Sequence, residues 1–212
     1  MDQELRIQKI LRKLKKLYPD AHCSLYFESP FQLLVATVLS AQCTDERVNK
    51  VVPGLFKKFP TPFAMSKASH KEIEKLIHST GFYKNKAKSI LSLSNALVEE
   101  YEGEVPKTLD QLHALRGVGR KTANVVLGNA FGVPGLVVDT HVGRLVRRFG
   151  FTKLTDPEKV EQAMMKLVPK NDWVIFSHLL IAHGRAVCQA RSPHCEVCGL
   201  SAECKKVGVK KA

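Results

Sequence analysis

The spacing of apolar residues along the chain predicts helices almost throughout. Residues 31–39 are almost all apolar, which predicts a helix buried on most of its sides. Only residues 137–138 suggest an extended segment, and they are too few for more than one rung of a strand. We therefore predict an all-α fold. Residues 2–17 show the three-to-four spacing of an amphipathic helix, with Lys and Arg between the apolar positions Leu5, Ile7, Ile10, Leu11 and Leu14.

Short polar motifs mark the predicted helix ends. A Ser or Thr followed three residues later by Glu or Gln matches a capping box, and a Gly after a helical segment is typical of a helix end. Residues 130–135 are the best candidate for a break between domains, because they separate a helix-dense centre from a C-terminal part rich in cysteine. The predicted capping boxes are Ser69–Glu72, Thr108–Gln111 and Thr155–Glu158, and the predicted glycine ends are Gly81 and Gly150.

Composition narrows the class of protein. The 212 residues predict one or two domains, and 44% hydrophobic with 25% charged residues is ordinary for a globular protein and excludes intrinsic disorder. No apolar run reaches the roughly 18–20 residues that a membrane-spanning helix needs. The N-terminus also lacks the uninterrupted apolar core of a secretory signal.

The chain is strongly basic, with 33 Lys and Arg against 20 Asp and Glu and a formal net charge of +13. Residues 1–22 carry six Lys and Arg against three acids, and residues 205–212 carry four Lys and no acid. Such an excess predicts a polyanionic partner. Nucleic acid is favoured over a membrane surface, because no segment pairs a basic face with a strong aromatic and Leu face. The alternative is a basic surface that only keeps the protein solvated.

The most informative segment is LRGVGRKTA at residues 115–123. Two glycines two residues apart permit backbone angles that a Cβ would forbid, and they let the backbone approach a ligand. The amides at the start of the following helix favour a phosphate there, and Arg120 and Lys121 add positive charge. A tight turn without a ligand is the alternative. The pattern G-x-G-[RK]-K-[ST]-A after a helix is more specific, since it matches the helix–hairpin–helix element that grips a DNA backbone without reading its sequence.

Four cysteines near the C-terminus have the spacing C-x6-C-x2-C-x5-C. Structural zinc usually shows two close pairs of ligands separated by a longer span, and only one close pair is present here. Four thiolates in one continuous loop suit a [4Fe–4S] cluster. A zinc site and four unrelated thiols are the alternatives. The predicted ligands are Cys188, Cys195, Cys198 and Cys204, whereas Cys23 and Cys43 are predicted to be ordinary buried residues.

With these two motifs placed, the chain resembles the endonuclease III family of base-excision DNA glycosylases. The resemblance extends from about residue 20 to residue 204. It includes the segments LSAQCTD at 39–45, GFYKNKA at 81–87 and VDTHV at 138–142, in the order that the family shows.

The resemblance implies an all-α fold of two domains with a cleft between them. A helical barrel domain is expected at residues 23–133, with the helix–hairpin–helix element at about 108–127. A second helical domain, carrying the [4Fe–4S] loop, is expected from residues 1–22 and 134–212.

The resemblance also implies two catalytic residues, Lys121 and Asp139. In this family a lysine at the hairpin–helix junction attacks C1′ of the damaged nucleoside and forms a Schiff base that permits β-elimination. The amine attacks only when uncharged, which we expect partial burial, Arg120 and the positive helix end to favour. Asp139 would stabilise the charge at C1′ or move a proton to or from the lysine. The alternatives are a phosphate contact for Lys121 and a helix N-cap for Asp139.

The remaining implied residues contact DNA. Gln42 would fill the hole left by the extruded base, and Phe82 would act as an apolar wedge on the opposite side. A core aromatic is the alternative for Phe82, and Asp45 is a weaker candidate for lining the pocket. Arg116 stands where the family usually has Pro. The implied DNA-binding set is Gln42, Phe82, Arg116, Gly117, Val118, Gly119, Arg120, Thr122 and His141.

Together these features predict a bifunctional DNA glycosylase and AP lyase that removes oxidised pyrimidines from damaged double-stranded DNA. We expect a monomer with a [4Fe–4S] cluster and no membrane contact, in a prokaryotic cytoplasm and associated with the nucleoid through DNA. One alternative is a mismatch-specific thymine or uracil glycosylase. The other is a non-catalytic DNA-binding iron–sulfur protein.

Overall fold

The computed structural model of the chain describes residues 2–209, and in this range it contains helices and no strand. The predicted all-α fold is therefore confirmed. Lys210 and Lys211, two of the four lysines of the basic C-terminus, lie outside the described residues. The α-helices are α1 (Gln3–Leu17), α2 (Pro30–Leu39), α3 (Asp45–Lys58), α4 (Pro62–Ser66), α5 (His70–Ile77), α6 (Tyr83–Tyr101), α7 (Leu109–Ala114), α8 (Arg120–Phe131), α9 (Thr140–Phe149), α10 (Pro157–Met165) and α11 (Trp173–Ala186), and 3₁₀ helices span His78–Thr80 and Lys170–Asp172.

The described chain divides into two compact units. The central unit runs from Ser24 to Val133. The terminal unit combines the chain up to Cys23 with the chain from Pro134 onward. None of the helices in residues 2–209 is long and apolar enough to cross a membrane.

Helix α2 forms the centre of the central unit. All its residues from Phe31 to Leu39 are buried, as predicted from their apolar character. The helix begins at Pro30, after Ser29, whose side chain accepts a hydrogen bond from the Gln32 amide, because Pro suits the first helical position and Ser satisfies an unpaired amide. Helices α3, α6 and α8 pack against α2. The other helices of this unit that carry candidate residues are therefore supported by one buried helix.

In the terminal unit, α1 and α9 pack around α11. The apolar face of α1 is buried as predicted, with Ile10 and Leu14 fully inaccessible, except at Leu5, which is 45% exposed. Arg6 lies on the same buried face and is only 4% exposed. Its guanidinium donates to the carbonyls of Phe149 at 2.5 Å and Glu203 at 3.2 Å. The charge of Arg6 thus joins α1 to the end of α9 and to the cysteine loop.

The predicted helix ends are correct except at Thr155, although the Thr108 motif forms only part of a capping box, because the Gln111 side chain accepts from the Thr108 hydroxyl. Ser69 and Glu72 form a reciprocal capping box at α5, Thr108 caps α7, and Gly150 ends α9 with a φ of 75°. The capping box predicted at Thr155 is wrong, because Asp156 caps α10 instead. Pro157 follows at the first helical position, where its fixed φ suits a helix start, so the helix begins one residue later than the motif suggested.

Cys23 and Cys43 are partly exposed rather than buried, so this prediction is also wrong. Both residues stand in connecting segments outside the helices. Small apolar character alone does not place a residue in the core when the backbone around it runs over the surface.

Replacing Arg6 by Met tests the buried cation of the terminal unit. The Arg6→Met variant keeps the aliphatic stem but leaves the Phe149 and Glu203 carbonyls without this donor. We expect the free energy of unfolding to fall by about 2–3 kcal/mol, since hydrogen bonds to charged groups contribute this much. Urea unfolding followed by circular dichroism measures the change. Arg12→Met, at an exposed position of the same helix, is the control and should have little effect; equal losses in both variants would contradict this role of Arg6.

Candidate nucleic-acid interface and cysteine pocket

A hairpin joins α7 to α8 in the central unit, where the sequence predicted it. Helix α7 ends at Ala114, and the amide of Val118 donates to the Leu115 carbonyl at 3.1 Å across the turn. Helix α8 starts at Arg120, with Gly119 in the N-cap position and no side chain capping it. The start of α8 therefore presents backbone donors and a positive helix end that no capping side chain covers.

The two glycines of the hairpin have different roles. Gly117 has a φ of +81°, and a Cβ at this position would lie 2.7 Å from the Cβ of Ser89 on α6. Gly119 has a φ of −84°, which other residues adopt, and a Cβ there would meet no atom within 4 Å. Of the two glycines predicted to permit unusual backbone angles, only Gly117 therefore adopts one. Open space beside Gly119 leaves room for a ligand at the start of α8.

Lys121 is the second residue of α8 and is exposed. The predicted partial burial is therefore wrong, because Lys121 lies two residues before the buried Ala123 and so on the opposite side of the helix. Arg116 is exposed in the turn itself. The hairpin thus carries two solvent-facing cations beside the uncapped helix start.

Gln42 and Phe82 each stand in a short turn of the central unit. Both have left-handed backbone angles, with a φ of 52° at Gln42 and 47° at Phe82, which are uncommon for residues other than Gly. Gln42 is exposed, and Phe82 is 65% exposed directly before α6. The alternative of a core aromatic is therefore wrong for Phe82. The structure presents both side chains to solvent.

Asp45 begins α3, three residues after Gln42. Its carboxylate accepts a hydrogen bond from the Ser24 hydroxyl at 2.5 Å, and Thr44 caps the helix by accepting from the Arg47 amide. Asp45 is thus engaged in fixing the start of α3.

Asp139 belongs to the terminal unit and caps α9, as its alternative interpretation predicted. Its Oδ1 accepts a hydrogen bond from the Val142 amide at 2.8 Å. Capping orients the carboxylate and leaves Oδ2 with no hydrogen-bond partner in the part of the chain that the structure describes. Asp139 is half-buried, so this second oxygen is available to a ligand in a partly desolvated setting.

His141 follows Asp139 in the first turn of α9 and packs against Gly184 of α11. A Cβ on Gly184 would lie 2.7 Å from the His141 Nδ1, so this approach requires glycine. Burial lowers the pKa of His141; Arg144 and Arg185 lower it further, whereas Asp139 opposes the shift. His141 is thus close to Asp139 and surrounded by positive charge.

Two arginines of α9 hold the segment that begins the cysteine loop. Arg144 donates to the Cys188 carbonyl at 3.0 Å and to the Gly184 carbonyl at 3.1 Å. Arg148, only 9% exposed, donates to the carbonyls of Gln189 and Ala190, each at 2.7 Å. The sequence analysis missed both arginines. The sequence signal that could have found them is their spacing of four residues in a helix with apolar positions between them. This spacing places the two arginines on one partly buried face.

The four predicted ligand cysteines line one pocket in the terminal unit. No group of three or more His, Cys, Asp or Glu side chains among the described residues is placed to hold a single metal ion. The Cys188 sulfur accepts a hydrogen bond from Arg148 at 3.2 Å, and the Cys204 sulfur accepts one from the Lys206 amide at 3.3 Å. Burial raises the pKa of the Cys198 and Cys204 thiols. The pocket thus gathers four sulfurs and N–H donors that suit thiolate ligands.

The partly buried Tyr18 and the buried His183 form a pair beside this pocket. The Tyr18 hydroxyl lies 2.9 Å from His183 Nδ1, and His183 Nε2 lies 3.5 Å from the Cys198 sulfur. Burial lowers the pKa of His183 to about 4. His183 therefore links the N-terminal segment to one of the four sulfurs.

Comparison with known proteins places these features in a family. Residues 35–170 match the family described as "HhH-GPD superfamily base excision DNA repair protein". An endonuclease III of Synechocystis is 56% identical over 200 residues, which are 94% of this chain and 91% of that protein.

Solved structures agree with the sequence comparison. The chain superposes on the solved structure described as "Structure of a non-covalent Endonuclease III-DNA Complex" with a TM-score of 0.92 and 46% sequence identity, over 97% of both chains. The same TM-score, identity and coverage apply to "Structure of a Trapped Endonuclease III-DNA Covalent Intermediate: Estranged-Adenine Complex". The uncapped hairpin helix and the four cysteines are the features expected of one family, and the matches to that family extend over nearly the whole chain. This chain therefore belongs to the endonuclease III family of base-excision DNA glycosylases.

Proposed function

We propose that this protein excises oxidised pyrimidines from double-stranded DNA and cleaves the resulting abasic site, with Lys121 as the nucleophile. The observation that carries the proposal is the exposed Lys121 amine, in the first turn of a helix whose N-terminus has no side-chain cap. A phosphate bound at this helix start would hold the sugar of the same strand near the amine. A trapped covalent intermediate with DNA exists for a structure 46% identical to this chain.

The proposed reaction uses the uncharged amine of Lys121. Its Nζ forms a bond to C1′ while the glycosidic bond from C1′ to the base breaks, and the base leaves with the electron pair and gains a proton. Opening of the sugar at the C1′–O4′ bond gives a Schiff base. Loss of a C2′ proton then expels the 3′ phosphate by β-elimination, and water hydrolyses the Schiff base to regenerate the lysine.

Asp139 is proposed as the carboxylate that supports this chemistry. Positive charge develops at C1′ as the glycosidic bond breaks, and a preoriented carboxylate stabilises it. The hydrogen bond from the Val142 amide fixes Oδ1, so Oδ2 is the oxygen that would face the charge or exchange a proton with the lysine. The N-cap role and the catalytic role are thus compatible in one residue.

Binding to DNA is proposed to use the hairpin and the two exposed turn residues. The start of α8 and the solvent-facing Arg116 would bind phosphates without reading bases. Exposed Gln42 and Phe82 would enter the base stack, where inserted side chains offset the cost of extruding a base. We also propose that the protein acts as a monomer in a prokaryotic cytoplasm, associated with the nucleoid through DNA.

The four cysteines of the pocket fit a [4Fe–4S] cluster. Sulfurs that bind one zinc ion at about 2.3 Å must lie within about 4 Å of one another, and the described side chains are not placed to hold a single ion. In a [4Fe–4S] cluster each thiolate binds a different iron, which suits four sulfurs spread around one pocket. When bound, the cluster would order the loop from Cys188 to Cys204 rather than take part in the reaction.

Reduction of the Schiff base tests the nucleophile. Borohydride added to the protein and a duplex containing thymine glycol should give a covalent protein–DNA adduct on a denaturing gel. Lys121→Gln should give none, whereas Asp139→Asn should slow excision by about 10²–10⁴-fold. An adduct retained by Lys121→Gln would contradict the assignment. Cleavage of G·T mismatches without activity on thymine glycol would instead favour a mismatch-specific glycosylase.

The two hairpin glycines allow binding to be separated from folding. Gly119→Ala places a methyl group in the open space at the start of α8, so DNA affinity should fall about tenfold or more through lost phosphate hydrogen bonds. Its unfolding free energy should change by no more than about 1 kcal/mol. Gly117→Ala should destabilise the protein by roughly 1–3 kcal/mol, because of its positive φ and Ser89. Fluorescence anisotropy with an abasic-analogue duplex and thermal unfolding measure the two effects; unchanged affinity in a folded Gly119→Ala protein would refute the phosphate site.

Metal content tests the cysteine pocket. The purified protein should contain about four irons per chain and show broad visible absorption, and Cys198→Ala should lose both. Cys23→Ala, which changes a cysteine outside the pocket, is the matched control and should keep the wild-type iron content. One zinc per chain with no visible absorption would show a zinc site instead.

A further inference from the structure

Lys86 is a buried lysine of α6 that the proposed reaction does not use. It is only 6% exposed, although a charged side chain is rarely buried without partners. Its Nζ donates to the carbonyl of Leu39 at 2.8 Å and to the carbonyl of Thr80 at 2.9 Å. Burial lowers the pKa of Lys86, and the nearby Cys43 opposes this shift.

Both carbonyls lie at the ends of helical segments. Leu39 is the last residue of α2, and Thr80 is the last residue of the 3₁₀ helix. Carbonyls at such ends have no donor within their own helix, and a positive charge there also complements the helix dipole. The single ammonium of Lys86 thus holds two chain segments that are distant in sequence.

Each of these segments leads directly into a residue proposed to enter DNA. Gln42 follows Leu39 by three residues, and Phe82 follows Thr80 by two. Both have the left-handed backbone angles already described, and such conformations persist only where the surrounding structure holds them. The contacts of Lys86 are therefore at the base of both turns.

The backbone of α6 fixes the second turn as well. The amides of Asn85 and Lys86 both donate to the Phe82 carbonyl at 3.1 Å. One turn further along α6, Ser89 packs against Gly117 of the hairpin. One helix therefore supports the Phe82 turn, the Gln42 turn through Lys86, and the phosphate-binding hairpin.

We propose that Lys86 is a positioning residue for base extrusion, which holds the Gln42 and Phe82 turns in place so that both side chains enter the duplex together. The inference rests on the proposed DNA-inserting roles of Gln42 and Phe82. Turns that were disordered before binding would have to be ordered during extrusion, which adds to its cost. Lys86 removes that cost by fixing both turns in the free protein.

Two substrates distinguish positioning from a general effect on stability. The first is a duplex with thymine glycol paired to adenine, in which a base must leave the stack. The second is the same duplex with a preformed abasic site opposite an abasic analogue, in which no base has to be extruded. Single-turnover rates on both are measured at a temperature where every variant is folded. In a further version of the first duplex, 2-aminopurine replaces the adenine opposite the lesion and reports unstacking.

Lys86→Met keeps a side chain of similar length and removes the donors. We expect excision from the paired duplex to fall by about 10²-fold, the scale on which misplacement by about 1 Å acts, with loss of the 2-aminopurine signal. Cleavage of the preformed abasic site should stay within about twofold, the scatter of independent sites. Lys86→Gln keeps an N–H₂ donor without the charge, so it should also lose activity only on the paired duplex, but by a smaller factor. If Lys86→Met does not fold, Lys86→Gln is the variant that tests the proposal.

Leu97→Ala is the matched control, since Leu97 is fully buried in the same helix but lies three turns from Lys86. It should lower thermal stability and affect both substrates equally. Gln42→Ala and Phe82→Ala must themselves lose activity mainly on the paired duplex; if they do not, their proposed roles fail and the inference fails with them. If they do, but Lys86→Met and Lys86→Gln lose both activities equally, the positioning role of Lys86 is overturned while the proposed function stands.

Discussion

The close contact between Gly117 and Ser89 is the constraint on which the hairpin depends. A positive φ and the nearby side chain of α6 leave no room for a Cβ at this position. Residues 115–119 connect α7 to α8, and because Gly119 at the N-cap position has no side chain, α8 starts without a side-chain cap. Open space lies beside Gly119, and Lys121 is exposed two residues further along the chain. The tight hairpin thus keeps the proposed phosphate site at the start of α8 close to the proposed nucleophile, Lys121.

Cations that donate to backbone carbonyls recur in both units. Arg6, Arg148 and Lys86 are each less than a tenth exposed, and each donates to two or more backbone carbonyls, at least one of which is distant in sequence. Carbonyls at helix ends lack partners within the helix, so a buried cation satisfies them and fixes the chain that follows. This explains how short helices joined by irregular segments can hold candidate residues in defined positions. Part of the positive charge of this chain therefore has an internal role and is not available to DNA.

The sequence predicted those features that depend on local residue order. The buried α2, the amphipathic α1, the hairpin and the shared pocket of the four cysteines follow from apolar spacing, paired glycines and cysteine spacing. The capping motif at Thr155 is a wrong prediction because Pro157, which follows Asp156, favours a helix start one residue later. Features that depend on distant contacts were missed. Nothing local to Lys86 indicates that Leu39 and Thr80 accept from it, and nothing local to Gly184 indicates the approach of His141. The exposure of Lys121 depends in the same way on which face of α8 packs inward.

The most direct test of the central claim is the identity of the residue that bonds to DNA. The reduced protein–DNA adduct can be digested with nuclease and protease, and the modified peptide sequenced by mass spectrometry. The account predicts that the deoxyribose remnant is on Lys121, in the peptide that begins α8. A remnant on another lysine or on the terminal amine would contradict it.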